Sequence, residues 1–170
     1  FVSGCIERGI KDNEAQNIFD LLARFADYGF NKSHAAAYAL ISFQTAYLKT
    51  HYPLEFFAAS MTLDINNTDK LAIFQQELSR MKIKLYPPDI NSSDIYFVTD
   101  QKGIKYALGA IKNVGIESMK ELVMERKKNG PFISFDNFLD RVNSSIANKK
   151  TLEALACAGA FDSLEIKREN

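Results

Sequence analysis

Residues 28–49 of the chain read YGFNKSHAAAYALISFQTAYLK, and this stretch predicts a tight turn followed by a long helix. Gly29 and Asn31 tolerate positive φ, so a sharp turn costs little there. Ser33 stands where an N-cap belongs, ahead of an alanine run that favours a helix. At about 100° per residue, one apolar stripe falls on the face that we expect to lie in a core: Ala36, Leu40, Phe43 and Tyr47.

The other side of this predicted helix is polar, and its start is suited to an anion. His34, Tyr38, Thr45 and Lys49 lie opposite the apolar stripe. A helix N-terminus offers unpaired backbone N–H groups and a partial positive charge, and here Lys32 and His34 flank it. These features indicate a phosphate site. On spacing alone, an ordinary amphipathic helix with a solvated face is the more common explanation.

The identities of the residues, rather than their spacing, point to a family. Residues 28–59, YGFNKSHAAAYALISFQTAYLKTHYPLEFFAA, resemble without gaps the fingers region of the bacterial DNA polymerase III alpha subunit, a C-family replicative polymerase. In that family the fingers lie over the nascent base pair and help to bind the incoming nucleotide. The resemblance implies primer-template DNA and an incoming dNTP as partners. It also implies four positions near the nucleotide or the template: Lys32, Ser33, His34 and Tyr38.

Composition narrows the class of protein. The chain has 170 residues, 46% of them hydrophobic, which is enough for one sizeable domain or two small ones. Its 21 basic and 21 acidic residues give zero net charge, which argues against a strongly basic DNA-coating protein. Cys5 and Cys157 form no metal-ligand pattern, and we recognise no signal peptide or bilayer-spanning run. We therefore expect a cytoplasmic protein, which the resemblance would place in the bacterial, nucleoid-associated replisome.

Hydrophobic periodicity predicts a mainly α-helical fold. Besides the helix that follows Ser33, we expect three helices, over residues 12–27, 54–63 and 68–81. After Met81 the pattern changes to short β-like runs, at residues 83–85, 94–99 and 104–107. The last two runs flank Asp100-Gln101-Lys102-Gly103, a good hairpin turn. The sequence thus predicts a small antiparallel β hairpin between two helical halves.

A second motif begins at Tyr106, where the sequence reads YALGAIKNVGIESMKELVMERKKNG. This stretch resembles a helix-hairpin-helix, in which a tight turn presents backbone N–H groups at the start of the second helix to a DNA phosphate. Asn113 replaces the first of the two usual glycines, and Asn tolerates the left-handed region best among other residues. A second, weaker copy follows from Phe135 to Leu164. The predicted backbone-binding residues are Lys112, Asn113, Val114, Gly115, Lys149 and Lys150.

The charge of this region supports phosphate binding. Residues 102–150 contain ten basic and five acidic side chains, a net charge of +5. Such an excess suits contacts that hold duplex DNA without reading its sequence. A solvated helix with Glu–Lys pairing is the alternative, as around Glu121, Glu125 and Lys128. With the family resemblance, DNA contact is favoured.

The resemblance sets the expected domain organisation and leaves two classes of function open. We expect a helical distal fingers subdomain at 1–82, a connecting segment with a short β hairpin at 83–107, a tandem helix-hairpin-helix at 108–164 and a tail at 165–170. Since the chain starts at Phe1 without Met and ends in a charged segment, we expect a fragment of a replicative polymerase. A stand-alone, non-catalytic helix-hairpin-helix module for DNA or protein binding is the alternative. An error-prone relative is a further possibility, but the PPDINSS and NNTDK segments favour the replicative subunit.

Carboxylates arranged for nucleotidyl transfer are not recognisable in this chain. That reaction needs acidic side chains that hold two divalent metals. The pairs Asp89/Asp94 and Asp64/Asp69 are better explained by turns and helix caps. The resemblance implies that Mg²⁺ is bound by palm aspartates upstream of the matched segment, and that the sliding clamp, proofreading exonuclease and clamp loader bind mostly elsewhere. We therefore predict no catalytic residue, metal site or cofactor in this chain, and no activity of the chain alone.

Overall fold

The computed structural model describes residues 1–27 and 32–164, with the side chains of all of these except residues 27, 32 and 33. The chain divides into two compact units, Phe1–Leu48 and Lys49–Asn170. The predicted turn at Gly29 and Asn31 lies outside the described residues. The predicted functional division at residues 82, 107 and 164 stays a prediction.

The first unit is helical. Its elements are α1 (Val2–Ile6), α2 (Asp12–Asp27) and most of α3 (Lys32–His51). Helix α2 has the predicted bounds, and its first turn carries Asp12 and Glu14, which suit the positive end of the helix dipole. Helix α3 already includes Lys32 and Ser33, so the prediction of Ser33 as the N-cap is wrong.

The predicted core face of α3 is exposed in this chain. Leu40, Phe43 and Tyr47 retain 59%, 66% and 48% of their accessible surface. Ile41 on the opposite side is equally open, at 53%. Apolar residues therefore lie around the helix rather than along one stripe. The sequence pattern identified an amphipathic helix where the structure has one that is apolar on more than one side.

The second unit begins with two helices packed on a small sheet. Helix α4 (Pro53–Leu63) starts with proline at its first position, as predicted. Helix α5 (Thr68–Arg80) is capped by Asn67, whose side chain accepts a hydrogen bond from the Lys70 N–H at 3.1 Å. The buried side chains that join these helices to the sheet include Phe57, Met61, Leu71, Leu78 and Ile104.

The sheet has three strands: β1 (Lys84–Tyr86), β2 (Val98–Asp100) and β3 (Gly103–Lys105), in the order β1-β3-β2. The predicted hairpin is confirmed, because β2 and β3 pair antiparallel with Asp100 opposite Gly103. Strand β1 adds a parallel pairing that the sequence did not predict, with Lys84 opposite Gly103. A Cβ at Gly103 would overlap the Lys84 carbonyl oxygen, so glycine permits this close pairing.

The remaining residues form two helical hairpins around a common core. A 3₁₀ turn (Leu108–Ala110) leads through residues 111–115 to α6 (Ile116–Asn129). Helices α7 (Phe135–Arg141) and α8 (Lys149–Cys157) follow, with a final 3₁₀ turn at Asp162–Leu164. The common core holds Leu108, Met119, Leu122, Phe132, Phe138, Ile146, Leu155 and Phe161. The mainly α-helical fold class is confirmed, and none of the described helices is long and apolar enough to cross a membrane.

Candidate nucleic-acid interface

The first hairpin turns at Asn113. This residue has φ +69°, which is the left-handed conformation that the sequence analysis expected asparagine to tolerate. The first helix of the motif is shorter than expected, since only the 3₁₀ turn Leu108–Ala110 precedes the hairpin. Helix α6 then begins after Gly115, and no side chain caps its N-terminus. The first turn of α6 therefore leaves backbone N–H groups available to an external acceptor.

Gly115 is not needed for the turn itself. Its φ of −80° is one that any residue adopts. A Cβ at this position would lie 3.5 Å from the Ser118 Oγ, which is ordinary contact. Glycine here leaves the approach to the start of α6 open, while Asn113 makes the sharp turn.

The second hairpin begins its second helix differently. Asn148 caps α8, because its Oδ1 accepts a hydrogen bond from the Thr151 N–H at 3.0 Å. The Asn148 amide also donates to the Ser145 carbonyl at 2.7 Å, which holds the cap in place. Lys149 and Lys150 occupy the exposed first turn of α8. Basic residues next to a helix N-terminus oppose the helix dipole, so an anion there would stabilise the arrangement.

Residues of both hairpins line a groove of about 640 Å³. Lys112 and Asn113 line it from the first hairpin, and Lys150 lines it from α8. Val114 is partly buried against the common core, so its side chain serves packing. The groove also includes residues that the sequence analysis missed: Thr68, Pro88, Tyr106 and Cys157. Thr68 and Pro88 lie far along the chain from both motifs, whereas Tyr106 and Cys157 lie within the motifs but have side chains without charge that could have indicated a phosphate contact.

Internal contacts use half of the basic side chains in residues 102–150. Four of these form ion pairs: Lys120 with Glu117, Lys127 with Asp94, Arg141 with Glu125 and Lys149 with Glu153. Arg126 instead donates to the backbone carbonyls of Ile90 and Ser93. By contrast, Lys112 and Lys150 form no hydrogen bond or ion pair with any described residue. The net charge of the region thus overstates the charge available to phosphate, and two of the five remaining lysines, Lys112 and Lys150, line the same groove.

Two shifted pKa values show how internal pairing holds the segment before the first hairpin. Burial alone would raise the pKa of Asp94, but hydrogen bonds from the Ile95 N–H and Lys127 lower it overall. Burial lowers the pKa of Arg126, while the nearby carboxylates of Asp94 and Asp89 counteract this effect. Both side chains therefore bond to other parts of the protein, and neither lines the groove.

On α3, the structure places two of the four predicted nucleotide-proximal side chains. The rings of His34 and Tyr38 lie one helical turn apart with centroids 4.3 Å from each other. Tyr38 retains 54% of its accessible surface. Together the rings form an exposed aromatic pair on the face that was predicted to be polar. The side chains of Lys32 and Ser33 lie outside those that the structure describes.

Three of the four candidate carboxylates serve turns or ion pairs, and the fourth, Asp69, lies in the first turn of α5. Asp89 Oδ1 accepts hydrogen bonds from the N–H groups of Asn91 and Ser92, as expected of a turn residue. Asp64 pairs with Lys70 at 2.7 Å, and Asp94 pairs with Lys127 at 3.1 Å. Within the described residues, no group of three or more His, Cys, Asp or Glu side chains could hold a metal ion.

Known proteins match both halves of the chain. The family model described as a helix-hairpin-helix motif matches residues 82–170. DNA polymerase III subunit alpha of Caulobacter vibrioides is 52% identical over 99% of this chain, and that of Pseudomonas aeruginosa is 49% identical over 96%. The Thermus aquaticus subunit is 45% identical over 95% of the chain. The chain spans 15%, 14% and 13% of these relatives' lengths, respectively. The resemblance found from residues 28–59 is thereby confirmed.

Proposed function

This chain belongs to the helix-hairpin-helix family, and we propose that it binds the backbone of duplex DNA during template-directed synthesis by a DNA polymerase III alpha subunit. The observation that carries the proposal is the groove between the hairpins. It is lined by Lys112 and Lys150, which have no partner among the described residues, and Lys112 precedes Ile116, the first residue of the uncapped helix α6, by four positions.

The chemistry of the groove is that of a phosphate site. Lys112 and Lys150 supply positive charge from the two hairpins, and their neutralisation of DNA phosphates releases counterions. Glu153, which also lines the groove, is paired with Lys149 at 3.7 Å. The open backbone at Gly115 lets phosphate oxygens accept hydrogen bonds from the first N–H groups of α6. None of these groups reads a base edge, so binding depends on backbone position and not on sequence.

Helix α3 contributes contacts to the incoming nucleotide or its template in this proposal. The exposed His34–Tyr38 ring pair is suited to stack on a base. Lys32 and Ser33 precede the pair on the same helix and would lie near the phosphates. A stand-alone DNA-binding module needs no such helix. The polymerase relatives match 95–99% of the chain, α3 included, which favours the polymerase over that alternative.

Catalysis in this proposal depends on other parts of a longer polymerase. Palm carboxylates with Mg²⁺ would perform nucleotidyl transfer, and the sliding clamp, exonuclease and clamp loader would bind mostly outside residues 1–170. The chain would position duplex and nucleotide without transferring the nucleotide itself.

Lys112→Glu in the 170-residue chain tests the hairpin part of the proposal. Affinity for a short duplex should fall by about tenfold or more, because the change replaces a phosphate-facing cation with an anion. The slope of log affinity against log salt should become shallower by about one. Fluorescence anisotropy at several salt concentrations measures both.

Lys102→Glu is the matched control, since it makes the same charge change in the exposed β2–β3 turn. It should alter affinity by less than about twofold, the expectation for a screened, distant charge. Equal losses from the two variants would show that net charge, rather than the groove, determines binding.

Tyr38→Ala and His34→Ala in a complete alpha subunit test the α3 part. The nucleotide KM should rise or kcat should fall by about fivefold, since aromatic stacking on a base contributes about 1–3 kcal/mol. Duplex affinity should stay nearly constant. Thr45→Ala, about two turns beyond Tyr38 on α3, is the control. Normal nucleotide kinetics for both aromatic variants would remove these residues from the site.

A further inference from the structure

The segment Asp89–Asp94, which we name the bracing loop, contacts both hairpins and the linker between them. Its shape is fixed internally. Asp89 Oδ1 accepts from the N–H groups of Asn91 and Ser92, and the Ser93 hydroxyl accepts from the Asp89 N–H at 3.0 Å. Ser93 is fully buried. A loop with this many local hydrogen bonds presents its outer groups in one arrangement.

The bracing loop holds the first hairpin through Arg126 of α6. The Arg126 Nη1 donates to the carbonyl of Ile90 at 2.5 Å and to that of Ser93 at 2.8 Å. The Leu108 N–H also donates to the Asp94 carbonyl at 2.9 Å, which ties in the 3₁₀ turn. Both helical elements of the first hairpin are therefore attached to the same loop.

The same loop holds the second hairpin and the linker. The Ile90 N–H donates to the Ala160 carbonyl just after α8, at 2.9 Å. The Asn91 amide forms two hydrogen bonds, both 2.8 Å long, with the backbone N–H and carbonyl of Phe132 in the α6–α7 linker. The side chain of Ile90 is fully buried in the common core. Each attachment is directional, so together they specify the relative orientation of the hairpins.

We propose that the bracing loop makes the two hairpins act as one rigid DNA-binding unit, with Arg126 and Asn91 as its positioning residues. The inference rests on the proposed binding of DNA by the groove. Two cationic sites held at a fixed spacing engage neighbouring phosphates together, whereas loosely connected sites lose the benefit of high effective concentration. Arg126 and Asn91 act through the loop and do not touch DNA.

A double-variant experiment on the 170-residue chain tests the proposal. Lys150→Ala should weaken duplex binding by about three- to tenfold in the parent chain. In an Arg126→Met background the same change should cost less than about twofold, because the second hairpin is no longer aligned with the first. An equal loss in both backgrounds would contradict the bracing role.

Two further variants separate positioning from charge and from folding. Lys128→Met removes the same charge from the same turn of α6 without touching the loop, and it should leave the Lys150→Ala effect at its parental size. Arg126→Lys retains one donor and should recover part of the coupling. Circular dichroism verifies that every variant retains its helices.

A measurement without DNA distinguishes failure of the brace from failure of DNA binding. Spin labels at Glu117→Cys on α6 and Glu153→Cys on α8, with Cys5 and Cys157 changed to Ser, report the distance between hairpins. The distribution should be narrow in the parent and broad in Arg126→Met and Asn91→Ala. A narrow distribution in all three would overturn the bracing role. A parent chain that binds no duplex, yet shows the broadening, would overturn the DNA part of the proposal and retain the brace.

Discussion

The two hairpins differ at the point where each starts its second helix. Helix α6 begins after Gly115 with no side-chain cap, whereas α8 begins after Asn148, whose side chain already occupies the Thr151 N–H. An uncapped start leaves N–H groups for an external phosphate, and a capped start does not need one. The comparison indicates a division of labour in which both hairpins supply a lysine to the groove, but only the first also offers backbone donors.

The largest predicted effect tests whether the hairpins share one folding unit despite this difference. Phe138 on α7 is fully buried, with ring centroids 5.1 Å from those of both Phe132 and Phe161. Phe138→Ala should lower the free energy of unfolding by about 3–5 kcal/mol, because it removes a ring that packs against both ends of the second hairpin. Chemical denaturation measures the loss. Hydrogen exchange should show α6 and α8 losing protection together.

Ile133→Ala is the control for that experiment. Ile133 is 80% exposed and lies one residue after Phe132, so its truncation should change stability by about 0.5 kcal/mol or less. Selective loss of protection in α8 after Phe138→Ala would show that the hairpins have separate stabilities.

The next effect tests the open start of the first hairpin. Gly115→Ala should weaken duplex binding by about fivefold, because the added methyl group lies where a phosphate must approach. Stability should change little. Alanine is a poorer N-cap than glycine, but it also reduces the entropy of the unfolded chain, and these effects are each about 0.5–1 kcal/mol in opposite directions.

Asn113→Gly is the matched comparison for Gly115→Ala. Asn113 already has φ +69°, so glycine fits the same backbone and removes a side chain from the groove. Duplex affinity should be retained or rise. Affinity measurements combined with thermal melts distinguish an effect on DNA binding from an effect on stability. A Gly115→Ala chain with parental affinity would contradict the role assigned to the start of α6.

Local patterns in the sequence predicted the structural features that are determined by residues close together in the chain. The bounds of α2, the β2–β3 hairpin and the left-handed Asn113 all follow from a few adjacent side chains. The parallel pairing of β1 with β3 brings together residues about twenty positions apart, and no turn signal marks it. Local patterns identify a strand, but they do not identify its partner.

The same limit explains the errors about charge and burial. Arg126 and Arg141 counted toward a DNA-binding surface in the sequence, yet they bond to carbonyls of residues 90, 93, 130 and 131. Those acceptors are backbone carbonyls of loops, which carry no formal charge and therefore do not enter a count of charged residues. The stripe of α3 was similarly assigned to a core by periodicity alone, although Phe43 is 66% exposed. Periodicity describes a helix face but not what covers it.

The smallest predicted effect concerns the capped start of the second hairpin. Asn148→Ala should lower the free energy of unfolding by about 0.5–1 kcal/mol, because the Thr151 N–H loses its acceptor and the Ser145 carbonyl loses its donor. Helix α8 has only nine residues, so hydrogen exchange should show the loss as fraying of its first turn. Duplex affinity should change by less than about twofold, since Lys150 keeps its charge. Asn148→Asp restores the acceptor and should recover most of the stability, while its negative charge weakens DNA binding. If Asn148→Ala reduced affinity as strongly as Gly115→Ala, the two helix starts would serve the same purpose, and the division of labour between hairpins would be wrong.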